Sequence, residues 1–219
     1  MDYTGKLLDV LRGISSYLAF VNTTINSTVR IEGGGIVRVE NVSVFSNASA
    51  FYDLTRHKMD MNLTTCTEPA GGRVFTRILL LGDAARVYSP GEGKEFRRGD
   101  EGFTVIEKTF ESNPLSLALS ASSGGECQVI PGQYYILRCT NKNAFRGLIE
   151  ATVGVPRGSE VSVSMGTIEV VFHGFQPVSG KIEVGFEISP TTYTDALGES
   201  FKMLQNGRIE ETFTILQKG

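Results

Sequence analysis

The strongest constraint in this sequence is a period of two. From about residue 20, Val21, Ile25, Val29 and Ile31 fall on one side of an extended chain, and Asn22, Thr24, Asn26, Thr28 and Arg30 fall on the other. Successive strand side chains point to opposite faces, so this spacing describes a sheet with one buried and one wet face. The pattern returns in Met59, Met61 and Leu63 against Lys58, Asp60, Asn62 and Thr64. It returns again in Ile182, Val184, Phe186 and Ile188 against Lys181, Glu183, Gly185 and Glu187. Gly33-Gly34-Gly35, Glu68-Pro69-Ala70-Gly71-Gly72, Pro90-Gly91-Glu92-Gly93 and Asn206-Gly207 punctuate the runs with the residues of tight reversals. Ala48 to Tyr52 reads as a strand of its own, and the faces of Ile36 to Phe45 are mixed.

Helical spacing interrupts this in three places. Leu7, Leu11, Ile14 and Leu18 recur at three and four residues and predict a helix over 4–19. Asn113 before Pro114 predicts a capped helix carrying Leu115, Ala118 and Leu119, and Asn143 is placed to cap another carrying Phe145, Leu148 and Ile149. The whole chain, 1–219, reads as one domain: helix 4–19, a first strand meander over 20–98, a helical plug and hairpin over 99–151, and a second strand set over 158–217. The expected class is α+β, mostly β, with a curved antiparallel sheet of roughly ten or eleven strands.

Composition removes several functions. With 41% hydrophobic and 21% charged residues the chain can build a core. A net charge of −3, with no basic run beyond Arg97-Arg98, offers little to a phosphate backbone, so no nucleic-acid partner is expected. The apolar run Ile78 to Leu81 is far short of the roughly 20 residues that span a bilayer.

Nine Asn among 37 Ser and Thr should give roughly one or two Asn-X-Ser/Thr acceptors by chance, yet Asn22, Asn26, Asn41, Asn47 and Asn62 all begin one. Their crowding into the first third of the chain points to an extracellular or cell-surface protein. After Met1 there is neither a basic n-region nor an apolar h-region, so either the protein is cytoplasmic or, as is expected here, a targeting segment with any membrane anchor lay upstream of this chain. Cys127 and Cys139 flank Ile130-Pro131-Gly132-Gln133, a turn, so they can bridge a hairpin in an oxidising compartment or stand reduced on neighbouring strands.

Motifs of catalysis are weak. Gly91-Glu92-Gly93-Lys94-Glu95 lacks phosphate-loop spacing, and Ser162-Val163-Ser164-Met165-Gly166 has only the trailing glycine of a nucleophile elbow. His57 lies between Arg56 and Lys58, as in a solvated turn, and His173 alternates on a strand; neither has zinc-site spacing, and no cofactor or metal is expected. What the sequence does supply is apolar surface. Met59, Met61, Leu63, Leu79, Leu81, Leu115, Leu119, Tyr135, Leu137, Phe172, Phe186 and Ile188 are candidates for lining a cavity that holds acyl chains. Binding rather than catalysis is the expectation. A surface or adhesive domain with a filled core, and a hydrolase with dispersed acidic residues, are the rivals.

The order of elements resembles the LolA/LolB lipoprotein carriers of bacteria and their mycobacterial relatives of the LppX/LprG group. The likeness runs through Phe51-Tyr52-Asp53 with Lys58-Met59, Ile78 to Leu81, Val87-Tyr88-Ser89-Pro90, Pro114-Leu115-Ser116-Leu117, Tyr134 to Leu137 and Asp195-Ala196-Leu197-Gly198. The local texture is closer to surface lipoproteins of archaea. The resemblance implies an unclosed β half-barrel with helices on its concave face, acting as a monomeric carrier of lipid or of a lipidated protein at a membrane surface.

Overall fold

The computed structural model describes residues 3–156, 158–194 and 198–216. Its frame is two long hairpins. Strands β1 (Ser16–Gly33) and β2 (Ile36–Asp53) pair along their whole length, and β10 (Gln176–Thr194) pairs with β11 (Ser200–Leu216). The predicted reversal at Gly33-Gly34-Gly35 forms, with Gly34 and Gly35 at φ 57° and 78°, which glycine adopts without a Cβ penalty. A meander of β3 (Lys58–Glu68), β4 (Arg73–Leu81), β5 (Ala84–Ser89) and β6 (Glu92–Arg97) extends the sheet from β2. On the far side β9 (Val161–His173) follows β10, then β8 (Tyr135–Thr140) and β7 (Glu126–Ile130). The order β6-β5-β4-β3-β2-β1-β11-β10-β9-β8-β7 is antiparallel throughout, and β6 and β7 remain separate edges, so the eleven strands form an open sheet.

The helices cover one face, termed inner here. Helix α1 (Tyr3–Gly13) and α3 (Pro114–Ser122) pack over β7 to β9, with Leu7, Leu11, Leu115 and Ala118 fully buried. A 3-10 turn (Lys142–Phe145) leads into α4 (Arg146–Thr152), which reaches β9, while α2 (Glu101–Glu111) reaches β4, β5 and β6. Helices α2 and α4 then meet each other over the middle of the sheet, bridged by Lys108 and Glu150. They form an arch.

Several expectations are corrected. The first helix ends at Gly13 rather than at residue 19, because Tyr17, Ala19 and Val21 also alternate and two partner strands satisfy this backbone on both sides. Leu18, which fitted the helical stripe, belongs to β1. Ala48 to Tyr52 is the end of β2. The α2 helix was not anticipated, although Phe103, Ile106 and Phe110 carry its buried stripe. Asn141, not Asn143, caps the 3-10 turn, accepting from the Asn143 amide at 3.1 Å. Asn206-Gly207 lies inside β11, opposite Ser27 and Thr28 on one side and Phe186 and Glu187 on the other. A Cβ on Gly207 would sit 2.5 Å from the Asn26 carbonyl oxygen and 2.9 Å from the Phe186 ring, so close packing selects this glycine. In the late hairpin, Asp195, Ala196 and Leu197 lie outside the described residues.

Candidate apolar cavity beneath the helical arch

Cross-strand register builds the inner face in rows. Ile209, Ile25 and Val44 form one apolar row across β11, β1 and β2. Phe213, Val21, Ala48 and Leu63 form another, reaching β3. Between them runs a polar row: Glu211, Thr23, Ser46 and Thr65. Under the α2–α4 arch these rows, all but Ile209 and Phe213, floor a partly open hollow of about 240 Å³, with Val105 and Thr152 exposed at its rim. Its roof is Val105, Ile106 and Thr109 of α2, the Ser112 to Pro114 junction, and Leu148, Ala151 and Thr152 of α4.

The junction is held by a buried side chain. Asn113, 1% exposed, accepts from the Ser116 amide as the α3 cap and accepts from the Tyr17 hydroxyl at 2.6 Å. Its own amide nitrogen donates to the Phe110 carbonyl and to Ser116 Oγ, both at 2.7 Å. Burial pushes the Tyr17 and Tyr52 phenols above their ordinary range, so both are neutral. On the outer side of the arch Lys108 donates to Glu150, and Arg146 Nε donates to the same carboxylate at 2.9 Å. Burial raises the Glu150 carboxyl, but these two cations outweigh it and hold it below the usual range.

Glu211 is the group that sequence reading passed over. It is 6% exposed, and Thr23 Oγ1 donates to one of its oxygens at 2.9 Å. Burial pushes its carboxyl up to about 7, with the Thr23 bond acting in the opposite direction. Its signal lay in the phase of β11, where Ile209, Phe213 and Ile215 are inward and place Glu211 on the same face.

The structure brings only Met61 and Leu63 of the expected cavity set to this hollow. Met59, Leu115, Leu137, Phe172, Phe186 and Ile188 are at most 2% exposed and fill the core instead. Leu119 packs against that core, and Tyr135 stacks on Tyr3 with centroids 5.3 Å apart. Leu79 and Leu81 are on the outer face, because they pair with Asp60 and Lys58; Leu81 is exposed. His57 lies in the turn between β2 and β3 as expected but is half-buried there, its ring edge-on to Phe110 at 4.5 Å and Nε2 3.6 Å from Glu107. Cys127 and Cys139 face each other across β7 and β8 and are joined as a disulfide.

All five acceptor asparagines, Asn22, Asn26, Asn41, Asn47 and Asn62, are exposed on the outer face, with Asn22 directly opposite Asn47. Asn22, Asn47 and Asn62, together with Phe75 and Tyr88, border a wider depression of about 550 Å³ that is open to solvent. The less open, mainly apolar hollow beneath the arch is the better site for a small ligand.

Neither a family model nor a curated protein sequence matches the chain. Among solved structures it is similar to LprF from Mycobacterium bovis, with a TM-score of 0.41 and 11% identity over 96% of this chain and 89% of that one. It is also similar to a DUF1329 family protein from Desulfovibrio piger, with a TM-score of 0.26 and 12% identity over 93% and 89% of the two chains. A beta-barrel-like protein of the domain of unknown function DUF1849 from Brucella abortus gives a TM-score of 0.26 and 10% identity over 93% and 99%.

Proposed function

We propose that this protein is an extracytoplasmic lipid carrier that shelters an apolar chain beneath the α2–α4 arch and does not transform it. The mainly apolar hollow with Val21, Ile25, Leu63, Ile106 and Leu148 on its walls is the observation that carries this reading. Each methylene moved there from water contributes about 0.8 kcal/mol, so a chain of ten contributes roughly 8 kcal/mol before ordering costs. The volume of about 240 Å³ is below the roughly 300 Å³ at which ligand pockets usually begin, which fits one chain rather than several. The Cys127–Cys139 bridge and the five exposed acceptor asparagines support a location outside the cytoplasm.

The test is titration with a dodecyl chain bearing an environment-sensitive fluorophore. Saturable binding at one probe per chain is expected, and Ala151→Trp, which fills the roof of the hollow, should abolish it while the urea unfolding transition of the variant stays cooperative. Absence of saturable binding to the unmodified protein would overturn the reading.

A further inference from the structure

We propose that the polar row makes this hollow selective for a cationic amphiphile, a chain ending in a protonated amine whose nitrogen meets Glu211 on the floor. The inference rests on the carrier reading and names its ligand class.

A hollow meant only for hydrocarbon has no use for a carboxyl. Glu211 lines it, is 6% exposed, and has Thr23 as its one hydrogen-bond partner among the described residues, leaving its second oxygen unpaired. No Lys, Arg or His is among the described residues that line the hollow. A buried carboxylate without a counter-ion is costly, so whatever fills the space gains most by supplying the positive charge.

Three of the hydroxyls around the hollow have their protons committed, while Ser46, Tyr52, Thr65 and Ser112 can turn either way. Thr23 has committed its proton to Glu211, Thr109 donates to the Val105 carbonyl at 2.9 Å, and Thr152 donates to the Leu148 carbonyl at 2.7 Å. Each can still accept. An ammonium has three donors and no acceptor, which complements such a site. A fatty acid would instead set a second carboxylate against Glu211, and an alcohol would bring one donor and no charge. The apolar rows on either side of Glu211 give the chain of the amphiphile a place to lie.

The titratable groups facing Glu211 are few. Tyr52 from β2 is the other one lining the hollow; the lining residues of α2 and α4 carry none, and the Lys108–Glu150 pair is on the outer side of the arch. Cation binding requires the carboxylate, so amine affinity should fall between pH 8 and pH 5 while that of an uncharged amphiphile stays constant.

Displacement of the dodecyl probe by dodecylamine, 1-dodecanol and dodecanoate tests this at concentrations below micelle formation. Dodecylamine should displace at a concentration at least about tenfold lower than dodecanol, with dodecanoate weakest, since charged hydrogen bonds exceed neutral ones by that order. Within the Glu211→Gln variant the amine and dodecanol should displace the probe at concentrations within about twofold of each other, so that the margin seen in the unmodified protein is lost. Equal displacement by amine and alcohol, or a preference for dodecanoate, would sink the inference while leaving the carrier reading in place. Failure of the probe itself to bind would sink both. The ranking in the unmodified protein needs no variant to fold.

Discussion

A carboxyl at 6% exposure with a single threonine hydroxyl for company binds its proton more tightly after folding than before. Glu211 is raised from 4.5 to about 7, so below pH 4.5 it is neutral in both states and has no linkage effect. Above pH 4.5 the unfolded chain ionises first, and the folded state loses stability until about pH 7. The loss comes to about 3 kcal/mol at pH 8. Glu211→Gln should therefore stabilise the ligand-free protein by about that amount at pH 8 and hardly at all at pH 4.5, read from paired urea titrations; an equal gain at both pH values would contradict this. Glu150 has the opposite sign, since its lowered carboxyl contributes stability that is lost as pH falls. Asn113 is the other costly position. Asn113→Ala removes the α3 cap and leaves the Tyr17 hydroxyl buried without an acceptor, a loss of about 3 kcal/mol in total. In a double-mutant cycle Tyr17→Phe should reduce that loss, and strict additivity would argue against the coupling.

At the level of elements, what the sequence made legible is the period of each strand, and what it concealed is the competition between local signals. Asn206-Gly207 has turn chemistry, yet β11 runs straight through it because β1 and β10 both pair with this stretch. The same contest shortened the first helix: Leu7, Leu11, Ile14 and Leu18 satisfy a helical stripe, but Ser16 onward gains backbone partners on two sides. Helix α2 carries the buried stripe Phe103, Ile106 and Phe110, but its N-cap Asp100 makes no side-chain cap bond, so its start lacks a local signal like Asn113-Pro114 of α3. The role assigned to Gly207 can be checked. Gly207→Ala places a Cβ 2.5 Å from a backbone carbonyl of a central strand, which cannot yield as a side chain would, and should cost about 2 kcal/mol in urea unfolding. Were the site a relaxed hairpin turn, the space would be open and steric crowding would contribute little.

On the scale of the whole molecule, the first strand pairs with the last, so β1 and β11 join an N-terminal meander to a C-terminal one along a single seam. The two halves are roofed differently. Over β7 to β9, α1 and α3 pack tightly, and Leu137 and Phe172, expected around a cavity, became core there, as did Phe186 on the neighbouring β10. Over the seam, α2 and α4 span from opposite sides and leave the hollow beneath their meeting point. A sequence tells which face a residue takes, but whether a helix descends onto that face depends on where its ends are tied, and this is why only Met61 and Leu63 of the expected set line the site. On the carrier reading the arch is the part that gives way when a chain enters, since α2 and α4 meet through side chains, the Lys108–Glu150 pair among them, while the floor is a continuous backbone ladder. Hydrogen exchange should find α2 and α4 opening well below the free energy at which β1, β2 and β11 open. The dodecyl probe at a hundredfold excess over its Kd should raise global stability by about 2.7 kcal/mol. Its added protection within the native state should be concentrated in residues 101–111 and 146–152, the two helices of the arch. Protection centred instead on β7 to β9 would place the ligand over the filled half and remove the hollow from its role.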